Sequence, residues 1–334
     1  MYNFFDNLGI DLGTANTIIY DDRKGYVVDQ PSFIAFNKQS DVIAYGGQAK
    51  EMLGKTGELI RVIRPLADGV IADFIAGEEM VKAFIRSAAV HRYRIGKIIM
   101  GVPTGITTVE KIAVIEAGER AGAREVYLIA EPMAAAVGVG LDVMGKQGYM
   151  VVDIGGGTTD IAVIAYGGIV VDSTIRIAGD EMNEAIVRYF KSQYHLRIGE
   201  STAERLKIEY GTVHEKYNSK AVMVKGLDMQ TGLPRQLMIS NSIFIEALKD
   251  IVEIMVSAVI NTIEKLPVDL LDDIIERGVI LTGGGSLLKG LDELITSRTF
   301  LPVHIADNAL YTVAEGTRKI LNDFKHYRSL LMRR

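Results

Sequence analysis

Two aspartates, Asp11 and Asp153, each stand at the mouth of a glycine-bearing turn: Gly9-Ile10-Asp11-Leu12-Gly13-Thr14-Ala15-Asn16-Thr17 and Val151-Val152-Asp153-Ile154-Gly155-Gly156-Gly157-Thr158-Thr159-Asp160. Glycine has no Cβ, so successive backbone N–H groups in such turns can form a nest for phosphate oxygens. Thr14, Asn16, Thr158 and Thr159 add side-chain donors. A carboxylate repels phosphate, but a carboxylate beside a phosphate is what a hydrated magnesium ion requires. A single Asp-x-Gly string is equally compatible with a plain hairpin turn. Two of them, with a third glycine turn at Gly283-Gly284-Gly285, point to a phosphate clamp with a bare backbone surface on which a flat ring can lie.

The elements that would position these groups follow a repeated grammar. Ile18–Tyr20 and Tyr26–Val28 read as strands across a polar turn, Ser32–Tyr45 as more strand, and Glu51–Ile60 as a short helix interrupted by Gly54 and Gly57. Met80, Ala83, Phe84 and Ala88 mark an amphipathic helix over Glu78–Ala89. Ile98–Pro103 is a buried strand, Thr107-Thr108-Val109-Glu110 a capping box opening a helix that stops at Gly122, and Glu131-Pro132 a further helix start. The second half repeats the pattern: strands at Tyr149–Asp153, Ile161–Ala165 and Ile169–Asp172, then a helix over Glu181–Gln193. A strand pair around Thr231-Gly232, a long core helix carrying Leu248 to Leu266, and the strand Val279–Thr282 complete it. Asp11 and Asp153 are separated by about one domain length, which makes this an internal duplication.

Composition narrows the function. The chain has 334 residues, 48% of them hydrophobic, enough for two folded domains. A net charge of −5 gives no general affinity for nucleic acid. The absence of cysteine excludes disulfides, thiolate metal sites and cysteine nucleophiles, and agrees with a reducing cytoplasm. The first residues lack a signal-peptide pattern, and no uncharged apolar run reaches the ~18 residues of a spanning helix. Membrane contact, if made, is peripheral.

The ordered motifs resemble the actin–Hsp70–sugar kinase ATPases, and within them the bacterial actins of the MreB family, nearly end to end. The specific phrases are Ile10–Thr17, Asp68-Gly69-Val70-Ile71-Ala72-Asp73, Ile175-Arg176-Ile177-Ala178-Gly179-Asp180-Glu181-Met182 and Leu281–Leu291, with connecting segments at Glu131–Val137 and Ala314-Glu315-Gly316.

The resemblance implies an α/β, actin-like ATPase fold: two duplicated RNase H-like domains with a nucleotide cleft between them, each carrying a small subdomain. The implied boundaries are 1–141 with 310–334 (small subdomain about 33–65) and 142–309 (small subdomain about 181–244). It also implies ATP and Mg2+ as cofactors. Asp11 and Asp153 would hold the metal through water. Thr14, Ala15, Asn16, Gly155, Gly156, Gly157 and Thr158 would grip the phosphates. The Glu204-Arg205-Leu206-Lys207 string would supply the ribose and base edge, with Glu204 and Lys207 reaching them, while Gly283, Gly284, Gly285, Ser286 and Leu287 would back the adenine. Glu131 and Thr158 would orient the attacking water, although Glu131 is also what a helix N-terminus favours electrostatically, and position alone does not separate the two.

As a family member the protein would be a weak ATPase that polymerises into paired, antiparallel protofilaments at the inner face of the cell membrane. Its partners would be itself and membrane proteins of the cell-wall elongation machinery, with no nucleic acid. The alternatives on the same fold are a chaperone ATPase, whose relatives continue into a peptide-binding domain where this chain ends at Arg334, and a small-molecule kinase, whose general-base Asp has no match in the cleft segments.

For the membrane, Phe4, Phe5, Tyr93 and Ile95 are the candidate anchors. Lys82, Arg86, Arg92, Arg94 and Lys97 lie in a stretch, Met80–Val109, with no acid. A solvated basic helix face is the competing reading. The C-terminal stripe Ile320, Phe324, Tyr327 and Leu331 fits packing on the first half.

Overall fold

The computed structural model describes residues 6–88, 95–218 and 220–332. Two five-stranded sheets share one connectivity. In the first, Asp6–Leu12 lies parallel to Ile95–Val102, which is parallel to Ala123–Ala130; on its other side Asp6–Leu12 pairs antiparallel with Asn16–Asp21, and that with Gly25–Pro31. In the second, Tyr149–Ile154 lies parallel to Val279–Thr282, which is parallel to Val303–Ile305, with Thr159–Ala165 and Gly168–Ile175 following antiparallel.

The central strands Tyr149–Ile154 and Thr159–Ala165 are buried at every position, as sheets covered on both faces require. The edge strand Gly168–Ile175 alternates exposed and half-buried residues.

Three apolar clusters show how the layers stack. One fills the outer face of the first sheet beneath the Phe74–Ala88 and Thr108–Arg120 helices. Another fills the outer face of the second beneath the Gly179–Tyr194 and Ile243–Ile263 helices. The third joins Ile99 and Ile129 of the first sheet to Val151 and Ile164 of the second through the Glu131–Val139 and Thr312–Asn322 helices. These two helices approach backbone to backbone. A Cβ on Gly316 would overlap the Ala134 carbonyl, and one on Gly138 the Thr312 carbonyl.

Each large sheet carries a small three-stranded one nearby in sequence: Val42–Tyr45, Ile34–Asn37 and Ile60–Ile63 in the first half, and Leu196–Arg197, Ala221–Asp228 and Pro234–Ser240 in the second.

Three expectations change. The short helix is Gly47–Met52, not Glu51–Ile60. It ends before Gly54, whose φ is +70°, and Ile60–Ile63 is a strand because it pairs with Ile34–Asn37. Ile95, offered as a membrane anchor, is 6% exposed and opens the Ile95–Val102 strand inside the first core. Lys82 is not a free basic group: Glu78 and Glu79, one turn earlier, hold its ammonium at 2.5 and 3.0 Å. Phe4, Phe5 and Tyr93 lie outside the described residues.

The C-terminal stripe does pack on the first half. Phe324 meets Tyr127 edge-on with ring centroids 5.1 Å apart, and the Met332 N–H donates to the Leu128 carbonyl at 2.8 Å. Among the described residues no helix is long and apolar enough to cross a membrane.

Candidate functional site

Each glycine turn links the first strand of a large sheet to its antiparallel neighbour, so duplicated topology puts the two turns at equivalent places. They face one another. A Cβ on Gly156 would come within 2.9 Å of the Ala15 Cβ and 3.1 Å of its nitrogen, and one on Gly157 within 2.9 Å of the Thr14 hydroxyl. Their shapes are fixed locally. The Ser32 hydroxyl donates to the Gly13 carbonyl at 2.7 Å, and the Gly155 N–H to the Thr158 carbonyl at 2.9 Å. The Asp68-Gly69 loop closes over both, with the Gly69 N–H donating to the Thr14 hydroxyl at 2.9 Å.

Between the turns opens a cavity of about 430 Å³. Asp11, Thr14, Ala15, Asn16, Glu131, Asp153, Gly155, Gly156, Gly157, Thr158, Glu204, Lys207, Gly283, Gly284, Gly285 and Leu287 all line it. Gly283, at φ +77°, brings the third turn so close that a Cβ there would overlap the Asp153 carboxylate and the Ile154 carbonyl.

Four members of the expected set lie elsewhere. Thr159 is fully buried, its hydroxyl donating to the Ile177 carbonyl at 2.8 Å. On the Glu200–Tyr210 helix, Glu204 and Lys207 share a face at i, i+3, which turns Arg205 outward to pair with Glu209 at 3.0 Å and Leu206 inward to full burial. Ser286 is buried behind the third turn, where its hydroxyl donates to the Gly283 carbonyl at 2.7 Å and braces that turn.

The wall that sequence reasoning missed comes from the Gly179–Tyr194 helix and the Ala309–Tyr311 turn. Gly179, Asp180, Met182 and Asn183 line the cavity from the first, and Ala309, Leu310 and Tyr311 from the second, with Asp29 opposite. The helix start is stitched to the second turn, Gly179 N–H to the Gly155 carbonyl at 3.2 Å and Asp180 N–H to the Gly156 carbonyl at 2.8 Å. The Lys207 ammonium donates to the Gly179 carbonyl at 2.7 Å. Tyr311 donates to Asp29 at 2.7 Å. A signal was present in the Gly179-Asp180-Glu181-Met182 phrase, but not which face of its helix turns to the cavity.

The cavity floor is crowded with acid. Burial pushes the Asp11 carboxyl up to about 7. Burial, then the charges of Asp11 and Asp160, hold Asp153 well above the usual carboxylate range. Burial, then Asp160, Asp153 and Asp11, do the same to Glu131. Asp160 lies behind the cavity, also raised by burial, with one oxygen accepting from the Thr104 N–H at 2.9 Å and the Thr174 hydroxyl at 2.7 Å. Repelling buried carboxylates of this kind suit a hard divalent cation.

Among the described residues no cluster of three or more acidic, histidine or cysteine side chains forms a protein-only metal cage. Asp11 and Asp153 with phosphate oxygens and water match the partial ligation magnesium accepts.

A pH dependence follows with a definite sign. Asp11 binds its proton more tightly folded than unfolded, so its contribution makes the ligand-free protein less stable as pH rises from about 4 to about 7. A cation held at Asp11 would have to displace that proton, so its apparent affinity would weaken by up to about tenfold per unit below pH ~7. Thermal scans without ligand and titrations with magnesium nucleotide at pH 6, 7 and 8 check both; an affinity independent of pH would contradict the assignment.

Among the described residues three cations bridge the halves at the mouth: Lys50 pairs with Glu204 at 2.9 Å, Arg64 with Asp180 at 3.0 Å and Glu200 at 3.6 Å, and Arg176 with Asp68 at 3.5 Å and Glu110 at 3.9 Å.

The family model described as MreB/Mbl protein matches residues 5–329. The cell shape-determining protein Mbl of Bacillus subtilis (strain 168) is 45% identical over 322 residues, covering 96% of this chain and 97% of the relative. The cell shape-determining protein MreB of Escherichia coli (strain K12) is 44% identical over 325 residues, covering 95% and 94%. Among solved structures, MreB 5 of Spiroplasma citri bound to AMPPNP superposes with a TM-score of 0.92 at 33% identity, covering 97% of this chain and 98% of that one. The MamK double helical filament superposes at 0.80 with 19% identity, covering 95% and 98%, a likeness of fold alone. The fold is actin-like.

Proposed function

Because the chain belongs to the MreB/Mbl family, we propose that it is a bacterial actin-like cytoskeletal protein. In this reading it binds and slowly hydrolyses ATP, polymerises into membrane-associated filaments, and helps determine cell shape by organising cell-wall synthesis. The observation that carries the nucleotide chemistry is the meeting of two phosphate turns from duplicated sheets over one cavity that also holds Asp11, Glu131 and Asp153. The two halves, 1–141 with 310–334 and 142–309, then act as domains about the helices between the sheets.

The geometry supports the following roles. The turn that the Gly155 N–H closes on Thr158 presents the backbone N–H groups of Gly156 and Gly157, which with Thr14, Ala15 and Asn16 bind the phosphates. Asp11 and Asp153 would hold magnesium through water, and the metal would supply charge neutralisation at the phosphates. Phosphoryl transfer needs a positioned nucleophile more than a strong base. Glu131 and Thr158, both buried on the cavity wall, orient the attacking water. Glu204 and Lys207 hold the ribose edge, and Gly283, Gly284, Gly285 and Leu287 back the adenine.

Self-assembly draws support from the family and from the actin-like fold. Paired protofilaments, the inner membrane face and the proteins of the elongation machinery come with the family reading. Phe4, Phe5 and Tyr93 remain the proposed membrane residues, without Ile95.

The testing experiment is sedimentation with ATP and magnesium, with and without anionic vesicles. The protein is expected to pellet with nucleotide alone as polymer, and with vesicles below its polymerising concentration. A chaperone domain or a small-molecule kinase would stay in the supernatant, and that result would overturn the reading.

A further inference from the structure

Asn183 is 4% exposed and lines the nucleotide cavity, yet its amide oxygen has no hydrogen-bond partner. A buried polar atom left unpaired costs free energy that a bound partner returns, so the missing partner is sought in what enters the cavity.

Its position says which part of a nucleotide that is. The Gly179–Tyr194 helix begins against the second phosphate turn, through the Gly179 and Asp180 N–H groups. Asn183 sits one turn farther along, about 6 Å in axial rise. That step leads from the phosphates toward the sugar. The Gly283–Gly285 turn with Leu310 supplies a separate stretch of lining, bare backbone beside an apolar side chain, suited to a base. Glu204 and Lys207 lie on the same cavity wall, and Lys207 is tied to the first residue of the Asn183 helix at 2.7 Å.

We propose that Asn183 is the sugar-reading residue of this site: its amide bonds a ribose hydroxyl and selects ribonucleotides over deoxyribonucleotides. The inference rests on the nucleotide reading of the cavity given above. A hydroxyl both donates and accepts, so it satisfies the amide whichever end is presented. Selectivity arises because a deoxy sugar returns the amide to its unpaired state, and sites built around a substrate hydroxyl reject analogues that lack it.

The test is competition binding of ATP, 2′-deoxy-ATP, 3′-deoxy-ATP and GTP against an ATP probe labelled on the base, for the wild-type chain and for Asn183→Ala and Asn183→Asp. The wild type is expected to bind at least one deoxy analogue about tenfold more weakly than ATP. Asn183→Ala should bind ATP and that analogue alike, while Asn183→Asp, which keeps an acceptor, should preserve the preference.

Equal binding of ATP and both deoxy analogues by the wild type would overturn the proposal without any variant. So would an Asn183→Ala protein that keeps the wild-type preference, or one whose change appears only in ATP against GTP, which would make Asn183 a base reader. A wild type that binds no nucleotide would instead remove the cavity reading on which the proposal stands.

Discussion

Replacing Glu131 by alanine is expected to lower ATP hydrolysis by about two orders of magnitude, leave ATP affinity within a few-fold, and raise the thermal midpoint of the ligand-free protein. The rate loss follows from removing a carboxylate that lines the cavity beside Thr158, Asp11 and Asp153. The stability gain follows from its surroundings. Burial and three neighbouring acids hold the Glu131 carboxyl well above its ordinary range, so the folded state bears the cost of keeping it there. Against this stands the favourable interaction of a first-turn carboxylate with its helix, ~0.3–1 kcal/mol.

Burial and three neighbouring acids outweigh one helix end. The two readings of Glu131 therefore separate: a purely capping carboxylate predicts a lower midpoint with unchanged turnover, a water-positioning one a higher midpoint with lost turnover. Steady-state phosphate release and a thermal scan on the same preparation decide it.

The largest effect on stability is expected from Gly316→Ala. Its Cβ would overlap the Ala134 carbonyl, a backbone atom that no rotamer change can move aside. The Glu131–Val139 and Thr312–Asn322 helices would have to part, opening the core that joins the two sheets. Overpacking of this kind costs ~3 kcal/mol or more, roughly 6 °C in thermal midpoint. Gly57→Ala is the control, since nothing lies within 4 Å of its would-be Cβ; equal midpoints for the two variants would refute the packing argument.

What could be read in the sequence was what is written locally. The phosphate turns, the Gly283 turn and the Thr107 capping box are each specified by a few neighbouring residues, because glycine, hydroxyl and acid side chains act on their own turn. The capping box forms with the Glu110 carboxylate accepting from the Thr107 N–H at 2.7 Å.

What could not be read is set by how elements dock. Asn183 and Asp180 reach the cavity only because their helix is stitched to Gly155 and Gly156. Arg205 and Leu206 belong to the right string but the wrong helix faces. Ile95 reads as a loop anchor until its pairing with Asp6 and Ala123 makes it a strand residue. The acid-free stretch from Met80 to Val109 looked basic because linear inspection stops at its ends, while Lys82 reaches back one turn to Glu78.

The ion pairs across the mouth divide the molecule into two regimes of response to its medium. The shared apolar core holds the sheets together by contacts that salt scarcely weakens. Lys50–Glu204, Arg64–Asp180 and Arg176–Asp68 are partly open to solvent, each in the range of ~0–1 kcal/mol and screened by ions. The halves are thus joined by a core indifferent to ionic strength and, at the rim, by ion pairs that are not. Concentrated salt is therefore expected to loosen the rim of the cavity while leaving the apolar core between the sheets intact.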